Sequence, residues 1–362
     1  MSLYRANTVH ASSQGSLADD VALPSDGEDT ISSLSWSPVA NHLAAASWDG
    51  KVRIYDVAST GSARGVAALS AEGPIFDCDW AKDGIMVLAG GADKKIHLLH
   101  MPTGQQAIIG SHEAPVRGVR FVDVPDSNGP IIASGSWDKT VKLWDLRQPG
   151  TAVMTLACKE RVYAMDSKVQ LLVIATAERH IHLVDLKKPT VFLDTLESPM
   201  KHQTKTVSVS HDGKIWATAG IDGRCGINAV DKKETSKINF TFRCHREIND
   251  AEKVTKIWAV NDFQFHPVHH STFATAGSDG TFMFWNRIAH TRLRWYPPVS
   301  KSGLSDGTVA ITATSFSRDG HFYAYAVGYD WSRGHAGNSP QIQTKVMLHP
   351  VTKEDVGATK KK

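Results

Sequence analysis

Long hydrophobic runs are missing from this 362-residue chain. Nowhere do about 18 apolar residues follow one another, which argues against a membrane-spanning helix and any membrane insertion. The first 20 residues are rich in Ser and Ala and lack the apolar block of a secretory signal. Cysteine is scarce. Cys78, Cys158, Cys225 and Cys244 are scattered without CxxC or pairable spacing, so no disulfide framework is expected and a reducing, intracellular compartment is the simpler reading. Neither sign of charge dominates: 40 Lys and Arg against 37 Asp and Glu give a net charge of +3, which neither requires nor excludes a polyanionic partner. Nucleophile elbow, phosphate-cradling glycine loop and HExxH string are all absent, so the expectation is no enzyme, no cofactor and no metal.

What the chain has is self-similarity. SWDGKVRIYD at 47–56 returns as SWDKTVKLWD at 136–145. Anchoring on the acidic residue of each such turn gives Asp49, Asp93, Asp138, Glu178, Asp222, Asp279 and Asp330, most of them spaced by 40 to 45 residues. Between the turns, apolar and polar residues alternate at period two, the mark of strands. In the third unit Val116, Val119 and Phe121 open one strand, Ile131–Ser136 form a second, and Val141, Leu143 and Asp145 alternate in a third. A period of about 40–45 residues is that of WD repeats, which build four-stranded propeller blades. Seven such blades use roughly 290 residues. The fold class read from this resemblance is all-β: a single seven-bladed WD-repeat β-propeller over 19–350, between a flexible leader (1–18) and a flexible basic tail (351–362). The seventh unit runs out after three strands, so its outer strand is expected from the N-terminal side, around Asp19 to Leu23. The resemblance also implies a hydrogen-bonded structural set of His112, Ser134, Asp138 and Trp144.

Propellers host many functions, so function must come from what the blades expose. The position before each turn acid holds Trp48, Ala92, Trp137, Ala177, Ile221, Ser278 and Tyr329. In WD-repeat blades this position tends to face the top of the ring. Three large aromatics there are either a contact surface or packing between blades. A long stretch separates the fifth and sixth turns. It carries Asn239–Arg243, which alternates like an outer strand, then Cys244, His245 and Arg246 at the start of a polar loop. With no second Cys/His pair nearby, a metal is not expected. The planar fork of Arg246 suits a carboxylate or phosphate, or is simply solvated. The His266–His270 run is read as a turn. Gly280 to Ser305 contains no acid and interleaves Arg287, Arg292, Arg294 and Lys301 with Trp285, His290, Trp295 and Tyr296. Cations beside rings suit single-stranded nucleic acid, and period-two alternation would put Arg292 and Arg294 on one face of a strand. An ordinary charged outer strand fits equally.

Several strings are more specific. SWDGKVRIYD, GSWDKTVKLWD, ATAERHI, SPMKHQT, NFTFRCHR, AVNDFQFHPVHHSTFATAGSDG and YDWSRGH together resemble the WD-repeat messenger-RNA export factors of the nuclear pore, over essentially 29–349. A sister family of spindle-checkpoint propellers shares part of this set; the YDWSRGH string and the basic stretch after Trp285 favour the export factors. The resemblance implies a non-enzymatic nuclear adaptor, shuttling between pore and cytoplasm. Its partner would be the GLEBS hairpin of a GLFG-repeat nucleoporin, or in the sister reading of a checkpoint kinase. Paired glutamates of that hairpin would meet Arg246 on the top face, with Trp48, Trp137 and Tyr329 framing the groove and Lys201 and Gln203 adding polar contacts. Single-stranded RNA would lie beside it on Trp285, His290, Arg292 and Arg294. Asn286 and His290 depart from the acid and arginine of the pattern, which weakens that last expectation.

Overall fold

The computed structural model describes residues 12–24, 27, 29–125, 127, 129–299, 309–339 and 342–357. Its strands form seven antiparallel blades whose inner strands meet in cyclic order, the seventh returning to the first. Blade three shows the plan: Val116–Val122 lines the centre, followed outward by Ile131–Ser136, Thr140–Asp145 and Ala152–Ala157. The second strands are continuously apolar because both of their faces are covered by neighbouring blades. Leu171–Thr176 and Thr272–Gly277 are buried at every position. Fully burying one such Leu, Ile or Phe contributes about 1.5–3 kcal/mol, and the clusters between blades are continuous around the ring.

Polar groups inside this core are matched. His112 Nδ1 donates to Asp138 at 2.8 Å, which leaves Nε2 as acceptor for the Ser134 hydroxyl at 2.7 Å. Trp144 Nε1 donates to the same hydroxyl at 2.8 Å. The expected set is therefore present in blade three. Blade six carries a second one. His245 bonds Asp279 at 2.9 Å and Thr275 at 3.1 Å, and Trp285 Nε1 donates to Thr275 at 3.0 Å. His245, next to Cys244 in a pair that invites a metal reading, is thus a blade residue. All four cysteines are buried and free.

Ring closure follows the expected route. Val21–Ala22 pairs antiparallel with Lys345–Pro350 and supplies the outer strand of blade seven. Asp20, at the end of that join, accepts from the Tyr325 hydroxyl at 2.6 Å and from His349 Nδ1 at 2.7 Å. Order extends further toward both ends than the boundaries read from sequence. Ser13–Gln14 adds a parallel fifth strand to blade six, and Leu17 is buried in the core beside Tyr296. On the other side Asp355, fully buried, accepts from Tyr296 at 2.8 Å. Residues 1–11 and 358–362 of the expected leader and tail lie outside the described residues.

The long stretch after the fifth turn also differs from a plain loop. Phe240–Arg243 is the outer strand of blade five, and then Arg246–Asn249 and Val254–Ile257 pair as a separate two-stranded hairpin. That hairpin displays Ile248, Val254 and Ile257 to solvent.

Candidate functional site

The turn acids define one face of the ring, because every one of them joins a second to a third strand. They serve structure. Asp93 pairs with His97, Asp138 with His112 and Asp279 with His245. Most of the residues just before them reach the surface, Ala177 excepted. Trp48 is half-buried and Trp137 is 39% exposed, so neither indole is sealed in the core. Between them lies Phe76: Trp137 stacks on it at 5.6 Å and Trp48 meets it edge-on at 5.9 Å. On its other side Trp48 stacks on Trp331 at 5.4 Å, and Trp331 packs against Tyr329 at 5.5 Å. The result is a continuous aromatic ladder, Tyr329–Trp331–Trp48–Phe76–Trp137, along the top of blades seven, one, two and three. The Tyr329 hydroxyl donates to the Gly334 carbonyl at 2.6 Å, which fixes that ring. Trp331 holds a left-handed backbone (φ 59°), a conformation costly for a bulky side chain and frequent where function demands it.

Arg246 reaches the same face from blade five. Its Nη2 donates to the Asp222 carbonyl at 2.5 Å and its Nε to the Gly223 carbonyl at 3.3 Å, both on the turn of that blade. Partial burial, then the neighbouring guanidinium groups of Arg224 and Arg243, push its pKa below the ordinary arginine value. Three cations crowd here, and among the described residues they share one carboxylate contact, Arg224 to Asp222 at 3.2 Å. An incoming anion would relieve that repulsion. Lys201 and Gln203 are exposed in the loop that enters blade five, and the Gln203 carbonyl accepts from Ile221 N at 3.2 Å beside the same turn. Trp48, Trp137, Tyr329, Lys201, Gln203 and Arg246 therefore share one face.

The four residues expected to touch RNA are arranged differently. Trp285 is committed to the buried set of blade six and packs against Phe242 at 4.9 Å. His290 stacks on Phe240 at 4.0 Å. Arg292 donates to the Ser12 hydroxyl at 2.7 Å, and Arg294 donates to Thr352 at 3.2 Å with the Glu354 and Asp355 carboxylates at 3.9 Å. The two arginines do not share a face either. The ladder shifts between Phe284 and Trp285, so that Arg294 opposes Phe284 while Arg292 opposes Trp285. A bulge breaks period-two alternation, which is why the reading from sequence fails here.

Phe76, Trp331, Arg117 and Lys205 were not singled out by the sequence. A signal exists once the seven units are aligned. Each inner strand slips register one or two residues after its start, marking Ser32, Phe76, Arg117, Tyr163, Lys205, Asn261 and Thr312 as equivalent bulged positions. Six of the seven line a cavity of about 820 Å³ along the axis of the ring, Tyr163 being the exception. Among the described residues no cluster of side chains could hold a metal ion, and no helix is long and apolar enough to cross a membrane.

Comparison with known proteins completes the picture. The WD domain, G-beta repeat family matches residues 23–56, 66–99 and 104–145. A WD40 repeat protein, poxJ, of Penicillium oxalicum is 47% identical over 94% of this chain and 96% of its own length. The mRNA export factor GLE2 of Chaetomium thermophilum is 46% identical over 94% of this chain and 92% of its own. The poly(A)+ RNA export protein of Schizosaccharomyces pombe is 43% identical over 100% of this chain and 99% of its own.

Proposed function

This chain belongs to the family of WD-repeat mRNA export factors, and on that premise we propose that it is a non-enzymatic adaptor that docks on the nuclear pore by gripping an acidic hairpin on the top face of its ring. A role in mRNA export, and with it nucleocytoplasmic work, follows from the family. The finer reading is that the hairpin is the GLEBS segment of a GLFG-repeat nucleoporin. The observation that carries it is the crowding of Arg246 with Arg224 and Arg243 at the edge of an exposed aromatic ladder. A carboxylate-bearing strand would satisfy the cations while its apolar side chains cover the rings, the combination of charged and aromatic anchors that dominates interface energetics. Exposed Ile248, Val254 and Ile257 on the neighbouring hairpin extend the apolar border.

Calorimetric titration of the ring with a GLEBS peptide tests this. Saturable binding tighter than about 100 µM, or roughly −5.5 kcal/mol, is expected; no heat at that concentration defeats the docking reading. A checkpoint-kinase hairpin measured in parallel decides between the two sister roles.

A further inference from the structure

The cations of blade six are bonded within the fold, but two cations at the mouth of the axial channel hold no ion pair among the described residues. Arg117 makes a single long contact, 3.5 Å to the Phe76 carbonyl. Lys205 makes no hydrogen bond or ion pair among the described residues, and only the more distant charge of Asp330 favours its ammonium. Burial, and then the charge of Arg117, lower the pKa of Lys205; burial above all lowers that of Arg117, with Arg120 adding to it and the charges of Asp77 and Asp262 opposing it. Deeper charges are settled. Arg120 bridges Asp77 and Asp166, and Asp262 accepts from both the backbone and the hydroxyl of Thr314.

Three further features converge on the same mouth. Trp48, Phe76, Trp137 and Trp331 line it as well as the top face. Among the described residues the Trp331 indole N–H has no acceptor. The Asn261 amide spends its N–H groups on Ser278, Ile311 and Asp330, the last at 3.1 Å, while its buried Oδ1 accepts from none of the described residues. A fitting ligand brings an anion for the two cations, a flat ring for the indoles, and both a donor and an acceptor for Asn261 and Trp331. Inorganic phosphate supplies only the first. An acidic peptide supplies no flat heteroaromatic edge by necessity. A nucleotide supplies all of them.

We propose that the channel mouth binds a nucleotide, free or as the phosphorylated end of an RNA strand, with its phosphate held by Arg117 and Lys205 and its base against the rim indoles. This site stands apart from the hairpin reading, although the shared rings Trp48 and Trp137 make the two ligands mutually exclusive.

Tryptophan fluorescence of the full chain reads the site directly, since Trp48, Trp137 and Trp331 lie on it. AMP should quench saturably, with adenosine and inorganic phosphate each at least about tenfold weaker. Lys205→Met should weaken AMP by about tenfold at unchanged circular dichroism, and Lys205→Arg should restore most of it. Arg117→Gln should act alike. Should Arg117→Gln misfold, the Lys205 pair still decides, because that ammonium holds no structural bond. A 5′-phosphorylated oligoadenylate that binds more tightly than AMP identifies a strand end, and equal affinity identifies the free nucleotide. Absence of quenching by AMP overturns the proposal, as does equal affinity in Lys205→Met, or quenching by an acidic peptide alone.

Discussion

On the paired strands Phe282–Asn286 and Thr291–Tyr296 of blade six, Trp285, Arg292 and Arg294 combine rings and positive charge, and each has a partner inside the fold: Thr275, Ser12 and Thr352. Around the channel mouth, Trp48, Trp137, Arg117 and Lys205 combine the same residue types with few or no polar side-chain partners among the described residues. Composition does not separate these regions, whereas satisfaction of their polar groups does. A cation already bonded must give up that bond to receive a phosphate or carboxylate, so the blade-six strand has less to offer a ligand than the mouth.

The largest separation should appear in stability. Trp285→Ala removes a half-buried, hydrogen-bonded indole from its set and should cost about 2–4 kcal/mol in denaturant unfolding. Trp137→Ala loses one exposed stacking contact and should cost about 1 kcal/mol or less. Equal losses would break the comparison. Binding comes next: Arg246→Glu should weaken the hairpin by about 2–5 kcal/mol in calorimetry, with little change in melting. An unchanged affinity removes Arg246 from the face.

A third test uses pH. Burial alone would push His245 down, but the charge and hydrogen bond of Asp279 outweigh it and raise the group to about 8. Against an ordinary value near 6.5 this is about 2 kcal/mol, fully present below about pH 6.5 and lost as pH rises through about 8. His112 in the equivalent set of blade three is lowered, by burial above all. It therefore destabilises the ring only as the medium turns acid. His245→Gln should flatten the stability loss between pH 6.5 and 8 in urea titrations, and His112→Gln should not. The smallest effect sharpens the contrast between cations: Arg294→Gln should cost about 1 kcal/mol through its bond to Thr352, and Lys205→Met about 0.5 kcal/mol or less.

Much of the fold was legible because each turn repeats its own chemistry within a few residues. Asp138 and the His112–Trp144 unit lie in one contiguous stretch, so the set could be read off one repeat. The equivalent set in blade six was hidden because His245 and Asp279 are 34 residues apart, with an inserted hairpin between them. Top-face positions Trp48, Trp137 and Tyr329 were legible from their fixed place before the turn acid. The state of Arg292 was not, since its partner Ser12 is 280 residues away. Nor was the loss of alternation at Arg292 and Arg294, which a single bulge produces without any mark in composition.

The join between Val21–Ala22 and Lys345–Pro350 has a consequence for biosynthesis. A ribosome that has released six blades still holds back the strands needed to shut the circle. Until Ala310–Phe316 emerges and packs between them, the nascent chain carries an open flank at Ile31–Trp36 on one side and at Val260–Phe265 on the other. Such open sheet faces are where chains stick to one another, so chaperone attendance should peak late in translation. Truncation before Ala310 should leave a sticky arc instead of a slightly weakened disc.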